Sequence, residues 1–182
     1  MTIIHGLTTG TWTLDPSHSD IAFTVRHAGI SKVRGRFTDA AGSVEAGHGA
    51  DGTQATAVIK TASFDSGDGN RDAHVKGADF FDVERFPEIT FTSTSIEAKG
   101  DDFDVTGDLT IKGVTRQVTI ETEFNGTALD PFGNTRAGLS GETTISRKDF
   151  GLTWNAVLET GGVLVSDKVV ISLDLAFIAP QS

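Results

Sequence analysis

From Phe103 to Lys112 apolar and polar positions alternate almost without fault, with Phe103, Val105, Gly107, Leu109 and Ile111 opposing Asp104, Thr106, Asp108, Thr110 and Lys112. A period of two marks a strand with one buried and one wet face. The same signal recurs along most of the chain. Thr11 to Asp15 sets Trp12 and Leu14 on one side before Pro16 breaks the pattern. Ile21, Phe23, Val25 and His27 then face one way and Ala22, Thr24 and Arg26 the other, so His27 points with the apolar set. Ser31 to Gly47 reads as one strand, with Val33, Gly35 and Phe37 opposing Arg34, Arg36 and Thr38. Gln54 to Ser63 reads as the next, with Ala55, Ala57 and Ile59 aligned.

After Pro87 the alternation resumes, Ile89 and Phe91 opposing Thr90, Thr92 and Thr94. A tight hairpin at Gly113 leads to Val118, Ile120 and Phe124 against Thr119, Glu121 and Glu123. Arg136 to Ile145 aligns Ala137, Leu139, Gly141, Thr143 and Ile145. The final strand, approached through Gly161–Val163, aligns Val169, Ile171, Leu173, Leu175 and Phe177. These segments predict an all-β, mostly antiparallel chain of about eight strands, with no helix long enough to cover a sheet. Two architectures fit, a sandwich or a closed up-and-down barrel. Strands of ~10 residues span ~33 Å, which suits an elongated barrel better.

The stretch Ser63 to Pro87, SFDSGDGNRDAHVKGADFFDVERFP, breaks the alternation and is too long for a hairpin. Asn70 can cap a brief helix that Gly77 ends, placing Arg71, His74, Val75 and Ala78 on one face. Asp72 and Lys76 are spaced to pair. So short a helix needs packing through Val75, Phe80, Phe81 and Phe86 to persist. Either Phe80 and Phe81 plug an open barrel end, with Arg71, Asp72 and His74 on its rim, or they complete a solid core.

Composition narrows the classes. The chain of 182 residues shows no linker, which predicts a single domain, 1–182 with its core in 11–178. Twelve Phe and two Trp supply a core, and the absence of Cys excludes disulfides, zinc-thiolate sites and a thiol nucleophile. A net charge of −10 and no basic run argue against nucleic acid and anionic membrane surfaces as partners. The first ten residues lack the features of a secretory signal and no apolar run reaches membrane-span length, so a cytoplasmic protein without stable membrane insertion is expected.

Together WTLDPSHSDIAFTVRH, SFDSGDGNRDAHVKGADFFDVERFPEITF, GDLTIKGVTRQV and ISRKDFG, in this order between Thr11 and Ile178, resemble the YceI-like proteins. The resemblance implies an elongated, lipocalin-like antiparallel barrel whose apolar interior binds a long isoprenoid or similar amphiphilic lipid. Many such relatives carry an export signal, from which the first ten residues here depart. On this reading Phe23, Val25, Phe37, Phe91, Phe103, Val105, Leu109, Ile111, Ile120, Leu139, Leu173 and Phe177 form the wall around the lipid tail. The small residues Gly35, Ala57, Gly107, Ala137 and Gly141 favour a tunnel over a filled interior. His27, Arg71, Asp72 and His74 are the candidates for the polar head, an arginine offering a fixed fork of donors and a histidine a donor or acceptor.

Two other readings remain. A stress-linked scaffold with a solid core would hold no ligand. A metal-dependent hydrolase would use His27 and His74, with His18 and nearby aspartates, but the chain has no HxH or HExxH spacing. Ser17 beside His18 is too close in sequence to imply a nucleophile and its base. No turnover and no cofactor are expected, and dimerisation stays open.

Overall fold

The computed structural model describes residues 7–155, 158 and 164–181. Residues 1–6, on which the reading of the amino terminus rests, and Gly161–Val163, read with the last strand, lie outside the described residues. The alternating segments form β1 (Gly10–Leu14), β2 (Asp20–His27), β3 (Ser31–Phe37), β4 (Ala40–Ala46), β5 (Gln54–Lys60), β6 (Phe64–Asp65), β7 (Glu88–Lys99), β8 (Asp102–Ile111), β9 (Val114–Leu129), β10 (Thr135–Ser146) and β11 (Lys168–Ile178). One short helix, α1 (Gly69–Lys76), lies between β6 and β7.

Antiparallel pairing closes the ring β1-β4-β5-β7-β8-β9-β10-β11-β1, an eight-stranded barrel. Its inner face carries the apolar set of each strand, as the alternation requires. Two bulges reset that phase, at Ser93/Ser95 on β7 and opposite Gly138/Leu139 on β10. The first makes Thr94 the unpaired residue, so Ile96 joins Ile89 in the buried set.

The predicted third strand is broken. Pro16, lacking an N–H, starts a one-turn helix that separates β1 from β2, and both then lie along the same edge of β11. Their neighbours break at the same level. The strand read as Ser31 to Gly47 splits at Thr38–Asp39 into β3, paired with β2, and β4, paired with β1. The strand read as Gln54 to Ser63 ends at Lys60, and a turn at Thr61–Ser63 leads into β6. Beyond this line β2, β3 and β6 form a flap, and β6 pairs with β3 alone.

The ring is therefore open between β6 and β7 at this end. The segment from α1 to Pro87 fills the gap, tied by Thr61 N–H to the Pro87 carbonyl (3.0 Å), Thr61 Oγ1 to the Phe86 carbonyl (2.8 Å) and Lys112 Nζ to the Ala78 carbonyl (3.2 Å). Helix α1 begins earlier than expected. Asp68, not Asn70, is its cap, accepting from the amides of Asn70 and Arg71, while Gly77 ends it as expected. Asp72 binds the Ser66 amide and hydroxyl, which ties the segment to itself rather than to Lys76.

The other end is sealed. Trp12, Leu14, Val44, Ala46, Ala137 and Phe177 form a buried cluster there. Only two residue pairs join β1 to β11, and side chains reinforce that seam. Asp15, just past β1, and Asp130, in the β9–β10 turn, both accept from Arg136 on β10. Chiefly through Arg136, and also Ser17, the Asp15 carboxyl is held well below the usual carboxylate range. Asp130 is lowered too, first by the Asn134 amide and then by Arg136. Among the described residues no helix is long and apolar enough to cross a membrane.

Candidate functional site: the barrel cavity

Between the sealed end and the flap the barrel encloses a cavity of about 580 Å³. Its wall is apolar on every strand of the ring. Inward side chains such as Phe91, Val105, Ile120, Leu139 and Leu173 keep part of their surface accessible, unlike those of a filled interior. An empty cavity of this size would cost on the order of 14 kcal/mol, judged by ~24 cal/mol per Å³ for cavities cut into packed cores. That rivals the whole stability of a typical domain, so the space must hold solvent or a ligand.

The structure brings nearly all the wall residues read from the sequence to this one space. Phe23 and Val25 on β2, Phe37 on β3, Phe91 on β7 and Val105, Leu109 and Ile111 on β8 line it. So do Ile120 on β9, Leu139 on β10 and Leu173 and Phe177 on β11. Phe103 does not line it, although it is in phase with Val105. Alternation fixes a residue's face, not its height along the barrel.

Gly35 and Gly107 do not enlarge the interior. A Cβ on Gly35 would stand 2.6 Å from the Phe23 ring, and one on Gly107 2.6 Å from the Phe91 ring. These glycines let rings lie flat on the sheet and so are filled, not empty. Ala137 belongs to the sealed end, leaving Ala57 and Gly141 on the cavity wall.

The mouth lies where β2 and β3 face α1 and the chain after β10. His27, Arg71 and His74 reach the cavity here, with Phe80 and Phe81. Phe81 packs edge-on against Phe37, centroids 5.8 Å apart, continuing a ring cluster through Phe64 and Phe23. Phe80 meets Trp154 at 5.3 Å, and the His74 ring stands edge-on to both. His74 Nε2 also lies 3.0 Å from Asp79 Oδ2. Arg71 gives Nε and one Nη2 proton to Ser66, which leaves guanidinium donors at the rim.

Sequence reading missed several lining residues. Ile59 was in phase with Ala55 and Ala57, so its signal was present, whereas Phe64 follows the turn at Thr61–Ser63, out of that phase. Trp154 and Arg147 gave none, because they fall in an irregular segment. Arg147, 3% exposed, donates to four main-chain carbonyls: Ser166 (2.8 Å), Leu152 (2.6 Å), Trp154 (2.8 Å) and Val165 (3.2 Å). It thereby cinches the segment that carries Trp154 over the mouth. Burial pushes its pKa down, and the nearby Asp167 carboxylate partly offsets this.

Other chemistry finds little support in the geometry. Ser17 Oγ and Asp15 Oδ2 both approach the same nitrogen, Nδ1 of His18, at 3.1 and 2.8 Å. A nucleophile and an orienting acid would sit on opposite ring nitrogens. Among the described residues no three His, Asp or Glu side chains are grouped to hold a metal ion.

Comparison with known proteins agrees with this architecture. The solved structures most like it include Burkholderia cenocepacia BcnA, with a TM-score of 0.78 and 28% identity over 90% of this chain and 98% of that one. The Campylobacter jejuni YceI protein gives 0.73 and 26%, over 86% and 90%. A polyisoprenoid binding domain from Saccharophagus degradans, implicated in plant cell wall breakdown, gives 0.66 over 93% and 98%; at 19% identity the likeness is one of fold. In sequence, protein YceI of Salmonella arizonae is 41% identical over 139 residues, 75% of this chain and 72% of its own length. The YceI-like domain family model matches residues 12–177, and the chain belongs to the YceI-like family.

Proposed function

We propose that the barrel binds a long-chain isoprenoid or similar amphiphilic lipid, tail in the cavity and polar head at the mouth, and carries or stores it. The observation behind this reading is the apolar cavity of about 580 Å³, walled on all sides and reached past a separate covering segment. A solid-core scaffold would not contain it. The Saccharophagus degradans domain that shares the fold is itself a polyisoprenoid binding domain. Arg71, His74 and His27 are the polar groups at the mouth suited to a head group.

The test is direct. Organic extraction of freshly purified protein, read by mass spectrometry, should yield an isoprenoid or other long-chain amphiphile. Protein stripped of it should take up added polyprenyl lipid in a one-to-one ratio. Repeated recovery of nothing, together with no uptake, would end the carrier reading.

A further inference from the structure

The charge of −10 is unevenly placed. Glu45, Glu97, Asp101, Asp102, Asp104 and Asp130 gather at the sealed end, where Arg136 and Lys99 are the nearby cations and each is paired with acid. The β2–β3 hairpin, at the mouth, is the reverse. From Ile21 to Thr38 the chain holds Arg26, Lys32, Arg34 and Arg36 and no carboxylate at all. These cations alternate with apolar residues, so no basic run shows in the sequence. Strand geometry nevertheless sets Lys32, Arg34 and Arg36 on the outer face and Arg26 at the rim of the mouth, while Phe23, Val25 and Val33 point into the cavity.

Arg26 stands directly opposite Lys32 in the ladder, and like charges so placed destabilise a hairpin. Among the described residues, only Arg34 of the four has an ion pair, with Asp20 at 3.2 Å. Ile30 sits at the tip and is 87% exposed. The turn is made by Ala28 and Gly29, both in the left-handed region (φ 54° and 72°), and the Ala28 amide is fixed to the Leu164 carbonyl at 2.7 Å. An apolar tip thus projects beside Arg26 and Lys32, which make no ion pair among the described residues, at the cavity's mouth.

We propose that this hairpin docks the mouth onto an anionic lipid bilayer, Ile30 entering the interface and Arg26 and Lys32 meeting lipid phosphates. Each Lys or Arg near such a surface strengthens binding about fivefold, and the attraction falls off within a Debye length, ~8 Å at physiological salt. The acidic end is distant on that scale. The twelve-residue β10 joins the two ends and spans roughly 40 Å. Asp65, the first acid of the covering segment, is in register with Arg36, four residues and about 13 Å along β3 from Lys32. The hairpin tip therefore meets the surface while the acids of the sealed end remain screened from it. This surface goes beyond the lipid-carrier reading and does not depend on what fills the cavity.

Flotation of the whole protein with vesicles of phosphatidylcholine alone, or mixed with phosphatidylglycerol, tests the proposal. Binding is expected to the mixed vesicles only, and to vanish at high salt. Lys32→Ala should weaken it about fivefold and Ile30→Ser should weaken it as well. Lys99→Ala, which changes net charge equally at the sealed end, should not. Each variant's thermal midpoint confirms that it is folded. No binding to the mixed vesicles, or equal loss from Lys32→Ala and Lys99→Ala, would overturn the proposal. So would capture of heparin or duplex DNA by the hairpin without vesicle binding. Mass spectra of extracted lipid are a separate readout, so an empty cavity and a failed docking surface are distinguishable.

Discussion

Ala57→Phe fills the cavity from a position that has room for it. Ala57 lies on the wall of β5, in register with Gly42 on one side and Phe91 on the other. Gly42 offers no side chain to collide with, and the Phe91 ring offers a flat neighbour. The added ring would cover roughly 100 Å² of apolar surface, worth about 2.5 kcal/mol at ~25 cal/mol per Å². Overpacking costs ~1–3 kcal/mol in a tight core, but a cavity of about 580 Å³ has space for one ring. The lipid-free variant should therefore melt above the lipid-free parent. The ligand response should run the other way. A lipid at about a hundred times its Kd stabilises its host by ~2.7 kcal/mol, which for a chain this long raises the midpoint by roughly 5–10 °C. Differential scanning fluorimetry of stripped protein, with and without polyprenyl lipid, should show that rise in the parent and little in Ala57→Phe. An undiminished rise in a variant that melts higher without lipid would place binding outside the cavity and refute the reasoning.

Other outcomes follow from the seam and the mouth. Asp15 and Asp130 have lowered folded-state pKa values, so their bonds to Arg136 contribute stability that is fully present above the unfolded value of about 4 and is lost progressively as pH falls from there toward the lowered folded values. Urea midpoints measured from pH ~5 down to ~2 should fall more steeply for the parent than for Asp15→Asn with Asp130→Asn. Removing Arg136 alone should lower the thermal midpoint, and restoring neutrality with Asp15→Asn should recover part of it. Arg147→Ala should cost on the order of 3 kcal/mol, since it strands four carbonyl partners, one buried and three part-buried, and should speed hydrogen exchange in the segment around Trp154. Arg147→Lys should rescue little of this, because one ammonium cannot reach all four.

The sequence made the faces legible and left the heights and partners hidden. A period of two assigned Val105, Leu109, Leu139 and Leu173 to the interior, because strand pleating is local and needs no tertiary knowledge. It could not place Phe103, since the cavity's extent depends on where other strands supply bulk. The same limit misjudged Gly35 and Gly107. Each lacks a side chain, but Phe23 and Phe91 occupy the space, and which ring covers which glycine is a cross-strand fact. The cap of α1 was two residues off because Asp68 and Asn70 are both competent acceptors, and only the chain's direction into the helix selects one. Arg147 was invisible for a different reason. A charged residue in an irregular segment is expected outside, and its burial rests on carbonyls that no local pattern announces.

The break after Pro16 explains why the barrel has two unlike ends. A strand that continued through it would pair along its full length, and the ring would close at both ends around a sealed interior. Losing one N–H and turning there divides the first strand, and the division passes to β3 and β4 and then to β5 and β6 because each pairs with the last. The side with β1, β4 and β5 keeps the ring, the Trp12 cluster and the Arg136 bonds. The side with β2, β3 and β6 has no ladder from β6 to β7, so its closure depends on hydrogen bonds from Thr61 and Lys112 and on the contacts of Phe80 and Phe81. Main-chain pairing separates only when a whole ladder opens, whereas a segment held by a few side chains separates locally at lower cost. The mouth is accordingly at the flap, and the stretch from Ser63 to Pro87 is the wall that covers it.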